Sequence, residues 1–137
     1  MREGNLTSVE VVSFGYKYGP PPEANLVLDV RSLENPYYHD TLRPLTGADE
    51  PVQEFLLAKE STADFIAAMR TVVSLSLRGW LEFGSDHKHV TLAFGCTGGK
   101  HRSRFCAIKA LEVVQELVAE LKLTSQVTLT HRDDGKE

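Results

Sequence analysis

The sequence is poor in the features that would set it apart from ordinary globular proteins. Two cysteines, Cys96 and Cys106, stand in 137 residues. That is too few for a disulfide scaffold, and with no leader peptide read at the start it points to a reducing, cytoplasmic setting. No apolar run approaches the length that crosses a bilayer, so no membrane partner is expected. Positive charge is not in excess. The formal net charge is -4, which argues against a uniformly basic nucleic-acid coat but leaves room for a local basic patch. His87 and His89 have no companions at metal-ligand spacing, so neither a metal site nor a cofactor is expected. Internal repeats and low-complexity tracts are absent as well.

What is present suits one α/β domain over residues 1–137. With 42% hydrophobic residues the chain can bury a core of its own. Ser8 to Phe14 and Lys88 to Gly95 read as strands, and Asn25 to Arg31 as a short buried one. Gln126 to His131 reads as a fourth strand, and Asp133 to Glu137 as a frayed polar tail. Gly15 to Pro22, with three consecutive prolines, predicts an ordered turn. Ser32 to Glu50 is a long polar loop, and such loops in small domains are more often functional than idle. Pro51 opens a short helix. A longer helix, capped by Ser61 or Thr62 and ending near Gly84 and Ser85, carries Phe65, Met69, Val72, Val73 and Trp80 at helical spacing. Ser103 to Leu123 predicts a last helix whose apolar face is Ile108, Leu111, Val114, Val118 and Leu121. The architecture expected is a four-stranded, mostly parallel mixed sheet with flanking helices, and a site at the C-terminal ends of the second and third strands.

Between the third strand and the last helix lies Gly95-Cys96-Thr97-Gly98-Gly99-Lys100-His101-Arg102-Ser103. A glycine-rich turn that opens a helix binds anions, because free amides and the helix dipole face the ligand together. Glycines let the backbone curl around an anion, and Lys100, His101 and Arg102 add charge. Thr97 and Ser103 can donate hydroxyl hydrogen bonds. The segment is not a Walker A loop, since Phe94 and His101 occupy two of its defining positions. Cys96-x5-Arg102 followed by Ser103 resembles the loop of cysteine-dependent phosphatases, in which a thiolate attacks phosphate; Gly95 stands where those enzymes usually have histidine. Phosphate binding and phosphate hydrolysis thus both stay open at this point.

Six blocks, Ser13 to Gly19, Leu28 to Arg31, Glu34 to Tyr38, Leu42 to Gly47, the glycine loop and His131 to Asp133, occur in an order that resembles the C-terminal domain of the RapZ family, also called the YvcJ family. Longer members of that family join a Walker-type nucleotide domain to this module. No match to that domain is read here, so ATP or GTP binding is not carried over. The resemblance implies a regulatory adapter that binds a phosphorylated amino sugar and small regulatory RNA, and a tendency to form homo-oligomers. Carried over by position, it implies a pocket of Asp29, Arg31, Asn35, Thr97, Gly98, His101 and Arg102, to which the loop itself adds Gly99, Lys100 and Ser103. Tyr37 stands where the enterobacterial branch has histidine, and Arg104 where valine is usual. The expectation is a non-catalytic binding module for a phosphorylated small molecule, an amino-sugar phosphate, or for the RNA backbone. The alternative is a phosphatase using Cys96 and Arg102.

Among the remaining residues, Asp29 reads equally as a ligand acceptor and as the partner of Arg31 or Arg43. Arg43 reads as a brace of its own loop. Tyr16, Lys17 and Tyr18 combine aromatic and basic groups near the pocket mouth, and His131 with Arg132 could extend a basic rim.

Overall fold

Each strand begins where β-branched residues alternate and stops where glycine, cysteine or a charged residue breaks the pattern. They are Ser8–Gly15 (β1), Leu26–Asp29 (β2), His89–Cys96 (β3) and Gln126–His131 (β4). The helices are Glu50–Leu57 (α1), Glu60–Phe83 (α2) and Arg102–Glu120 (α3). The structure, a computed structural model, describes residues 6–84 and 88–136. Ser85 and His87 lie outside the described residues.

The four strands form one sheet in the order β2-β3-β1-β4, and every pairing is parallel. The sequence reading allowed for a mixed sheet; no antiparallel pair occurs among the described residues. Register explains the core. Val9 and Val11 pair with Val90 and Leu92 on one side and with Val127 and Leu129 on the other. These side chains share one face, join the main core cluster and meet α3. Val12, Phe14 and Ala93 point to the opposite face and are buried outside that cluster. Phe14 lies under Tyr16, with ring centroids 4.9 Å apart, and under Arg132 at 5.1 Å. The lower part of that face carries Glu10, Thr91 and Thr128, which tolerate water. A parallel sheet usually needs both faces covered; here polar side chains do part of that work.

β2 is an edge strand, not the buried strand its composition suggested. Val27 and Asp29 face solvent while Leu26 and Leu28 are half-buried. A run of apolar residues reads alike in either position, and only the strand order decides between them.

α2 packs on α3. Its buried positions are Thr62, Ile66, Met69, Val73, Leu77 and Leu81, a seam that runs unbroken for the length of the helix. Two of the residues read from the sequence, Met69 and Val73, belong to it. Phe65 and Trp80 sit half-buried at its margin and Val72 is exposed. The helix starts two or three residues earlier than expected, with Lys59 at the N-cap and no side-chain cap. Pro51 does lie in the first turn of α1. In α3 the deepest residues are Ser103 to Ala107, Ala110, Val113, Val114 and Leu117, with Ile108, Leu111 and Val118 only partly covered. The whole first turn of α3 is buried because three loops converge on it. The tail is not frayed where it begins: Asp133 is buried, for a reason given below. None of the described helices is long and apolar enough to cross a membrane.

Candidate functional site

The loop 97–101 connects the C-terminal end of β3 to the first turn of α3. Its path needs glycine at one point above all. Gly99 has φ +73°, and a Cβ there would lie 2.8 Å from Gly15 N. Gly15 has no room either, since its Cβ would sit 2.6 Å from Gly98 C. The end of β1 and the glycine loop therefore touch backbone to backbone. Gly98 is different: nothing lies within 4 Å of where its Cβ would be. Its missing side chain leaves open space.

Two of the loop's carbonyls accept from other segments, while most of its amides have no acceptor among the described residues. Thr97 O accepts from Lys17 N (3.1 Å), and Lys100 O accepts from Gly47 N (2.9 Å). Gly99 N–H donates to Cys96 Sγ (3.3 Å). The N–H groups of Thr97, Gly98, Lys100 and His101 find no acceptor among the described residues. Thr97 is exposed, Gly98 and Lys100 are half-buried and His101 is buried, so this row of donors is open to an acceptor from outside the protein, water or an anion. It also lies at the positive end of a 19-residue helix.

These groups border a cavity of about 400 Å³. One wall is Cys96, Thr97, Gly98, Lys100, His101 and Arg102; the other is Lys17, Asn35, Tyr37, Tyr38 and Arg43. No carboxylate lines it among the described residues. Arg102 is only 5% exposed. Its Nη1 donates to Arg31 O (2.9 Å) and Leu33 O (3.1 Å), which holds the segment after β2 against α3. Its Nε is buried without a partner. His101 Nε2 donates to Leu42 O (3.1 Å), fixing the tautomer and pinning the loop that carries Arg43. Burial, helped by the nearby charge of Lys100 and only partly opposed by backbone carbonyls, pushes its pKa down, so it is neutral at pH 7.

Of the ten residues expected in the pocket, Asn35, Thr97, Gly98, Lys100, His101 and Arg102 line the cavity. Gly99 shapes the loop from behind. Ser103 lies beneath it, fully buried, where Cys96 Sγ donates to its Oγ (3.1 Å). Asp29 and Arg31 lie outside the cavity lining. Asp29 is half-exposed on the edge strand and grips Arg31 in a fork, with Nη2 at 2.6 Å and Nε at 2.9 Å. That hydrogen bonding holds the Asp29 carboxyl below its usual pKa. Arg31 stacks 3.9 Å over Tyr16. Asn35 Oδ1 accepts from Tyr37 N–H, capping the short turn Pro36–Tyr38. Arg43, which lines the cavity, braces that turn by donating to Tyr37 O (2.8 Å) and pairs with Asp40 (3.1 Å).

The sequence reading did not place Tyr37 and Tyr38 in the wall. Two adjacent aromatics, 52% and 77% exposed, within a long polar loop were the available signal. Arg132 is a brace rather than a rim residue. It donates to Pro20 O and Gly15 O and pairs with Asp133. Asp133 in turn accepts from Gly15 N–H (2.7 Å) and from Lys136 (3.0 Å). Burial opposes its ionisation, but these donors outweigh it and keep the carboxyl below its usual pKa. Arg132 and Asp133 thus hold both backbone groups of Gly15, the residue that touches the glycine loop. The second cysteine, Cys106, is a core residue whose thiol burial pushes up to about 12.

The family described as RapZ C-terminal domain matches residues 7–135. A protein of Acidothermus cellulolyticus named nucleotide-binding protein is 47% identical over 128 residues, 93% of this chain and 40% of the relative. Proteins of the same name from Mycobacterium ulcerans and Mycobacterium tuberculosis are 40% identical over 134 and 136 residues, 96% and 98% of this chain and 41% and 42% of theirs. The chain thus spans about two fifths of the length of the relatives it matches.

Proposed function

The chain belongs to the RapZ C-terminal domain family, and from that premise we propose that it is a regulatory module whose cavity binds a phosphorylated small metabolite without turning it over. The carrying observation is the cavity's inventory among the described residues: four cations, no carboxylate in the lining, and four loop amides without a protein acceptor just before α3. A phosphate is the group that such a set completes. The family resemblance adds an amino-sugar phosphate as the specific ligand and the RNA backbone as a second one. It also adds self-association and a cytoplasmic setting. The name of the relatives belongs to proteins more than twice as long, so nucleotide binding by their remaining parts is not assigned to this chain.

Calorimetric titration with phosphate, glucosamine 6-phosphate and a short RNA tests the reading. Arg102→Ala removes the buried guanidinium and is expected to weaken phosphate-ligand binding at least 30-fold, on the order of 2 kcal/mol for a charge-assisted pair. Equal binding by wild type and variant would remove the site. RNA binding, if it occurs, should weaken steeply with salt through counterion release.

One observation favours a second reading. Cys96 lines the cavity, accepts Gly99 N–H and faces Ser103 Oγ, the surroundings a nucleophilic thiol needs. Among the described residues no carboxylate stands in the lining to protonate a leaving group, so activity is expected only on aryl phosphates, whose leaving groups need no acid. Hydrolysis of such a substrate, abolished by Cys96→Ser, supports this reading; absence of turnover leaves the binding module alone.

A further inference from the structure

We propose that α2 carries an interaction surface of its own, an apolar stripe on its outer side that docks against the same stripe of a second copy of the chain, with the two helices antiparallel; this supplies a surface for the self-association proposed above and rests on that reading.

The stripe is apolar where the fold does not require it. The buried seam from Thr62 to Leu81 already supplies the face that α2 turns to the core. On a neighbouring face Ala68, Val72, Leu75, Gly79 and Phe83 recur at steps of three and four. They line up along roughly 22 Å of helix. None is charged, and Val72, Leu75 and Phe83 are 42%, 64% and 80% exposed. A surface helix ordinarily keeps its outer side polar. The other exposed large hydrophobic residues among those described do not gather in this way. Tyr37 and Tyr38 line the cavity, and Val27 and Leu57 stand singly on β2 and α1. Asp64, Thr71, Arg78 and Glu82 run exposed along one side of the stripe and give it a polar margin.

The order of sizes along the stripe selects the occupant. Laid antiparallel on its own copy, about a two-fold axis beside Leu75, the stripe sets Phe83 against Ala68 and Val72 against Gly79. Leu75 of the two copies lies side by side at the axis. Each large side chain thus meets a small residue, and the match repeats on both sides of the axis. Parallel packing would set Phe83 against Phe83 and Ala68 against Ala68, a clash at one end and a gap at the other. Nothing lies within 4 Å of where a Cβ on Gly79 would be, so the second helix has room there.

Area sets the strength. The three large side chains expose roughly 300 Å² on each copy. Two copies with their margins would bury about 1,000 Å², the low end for a specific interface. The dimer is therefore weak, forming at roughly tens to hundreds of micromolar protein. The cavities stay open in it. Lys59, at the N-cap of α2, meets Glu34 beside the cavity wall at 2.6 Å, while Phe83 closes the opposite end of the helix. Antiparallel pairing places the two cavities at opposite ends of the dimer.

Sedimentation equilibrium of the 137-residue protein, over about 5 to 500 μM, tests the surface. The wild type is expected to pass from monomer to dimer within that range. Leu75→Glu sets two carboxylates beside the axis and should weaken association at least 30-fold. Leu57→Glu, equally apolar and exposed but on α1, should leave it within twofold. Ala68→Phe brings phenylalanine against phenylalanine and should weaken association at least tenfold. Adding Phe83→Ala exchanges the two sizes and should restore it to within threefold of wild type. Each replaced side chain is exposed, so circular dichroism of every variant should match the wild type. A dimer indifferent to Leu75→Glu overturns the α2 surface and leaves self-association standing. Exchanged residues that fail to restore the dimer overturn the antiparallel pairing and the proposal with it. A wild type that stays monomeric throughout overturns both readings and leaves the stripe to a different protein.

Discussion

Two grooves on this molecule hold pairs of arginines, and they differ in what answers the charge. The groove between α2 and α3, of about 490 Å³, is lined by Arg70 and Arg78. Arg70 meets Glu112 and Glu116 at 3.3 Å, and Arg78 meets Glu120 at 2.5 Å. The cavity at the glycine loop is of similar size, yet no carboxylate lines it among the described residues, and of its cations Arg43 alone there meets one, Asp40 at 3.1 Å, outside the lining. The first groove is a helix–helix seam laced by solvent-screened ion pairs, which contribute little each. The second holds charge that the protein leaves for something else to neutralise. Size does not tell them apart; the source of the counter-charge does.

The strongest way to break the contrast is at the glycines. Gly99→Ala places a side chain at positive φ and against Gly15, and should cost about 3 kcal/mol or more in urea unfolding. Gly79, on α2 with nothing near its absent Cβ, should become more stable by about 0.5–1 kcal/mol as alanine. Similar losses at both positions would mean that the loop is not under the constraint described.

Next in size is the clamp behind the loop. Asp133→Asn keeps the shape but removes a buried negative charge shared by Gly15 N–H, Arg132 and Lys136, and should cost about 2 kcal/mol. It should also weaken phosphate binding, because Gly15 positions the loop; an unchanged affinity would separate the clamp from the site.

A smaller effect compares the grooves directly. Lys100→Met should weaken phosphate-ligand binding by about five- to tenfold, on the order of 1 kcal/mol. Arg70→Met should leave binding unchanged and cost less than about 1 kcal/mol of stability. Phosphate that responds to Arg70 would place the ligand in the wrong groove.

The smallest effect concerns pH. The His101 pKa is lower folded than unfolded, so the unfolded chain takes up more protons below about 6.5. Stability should be level above that value and decline as pH falls through it toward the folded pKa. Melting temperatures between pH 7.5 and 5.5 should show the decline, and His101→Gln should flatten it. Asp133, whose folded pKa is lowered, loses its contribution only at more acid pH and does not confuse this window.

What could be read from the chain follows the range of each interaction. The glycine loop was legible because its glycines, its cations and the following helix are neighbours in sequence. Strand positions were legible within a residue or two, since alternation is local. The edge position of β2, and with it the exposure of Asp29, was not, because strand order depends on pairings between distant segments. Tyr37 and Tyr38 reach the cavity only because Arg102 and His101 pull the 31–42 loop onto α3, a contact spanning about sixty to seventy residues. Asp133 looked like a frayed end because its partner, Gly15, lies 118 residues away. The phase of α2 was misread where two apolar stripes run side by side and only the continuous one meets α3.

The account turns on the loop amides. Amide chemical shifts of the nitrogen-15-labelled protein, followed during a titration with inorganic phosphate, address them one by one. Saturable shifts of the Thr97, Gly98, Lys100 and His101 N–H signals, with Arg70 and Arg78 silent, are the expected result. Shifts that are absent from these four, or that gather between α2 and α3 instead, would contradict it.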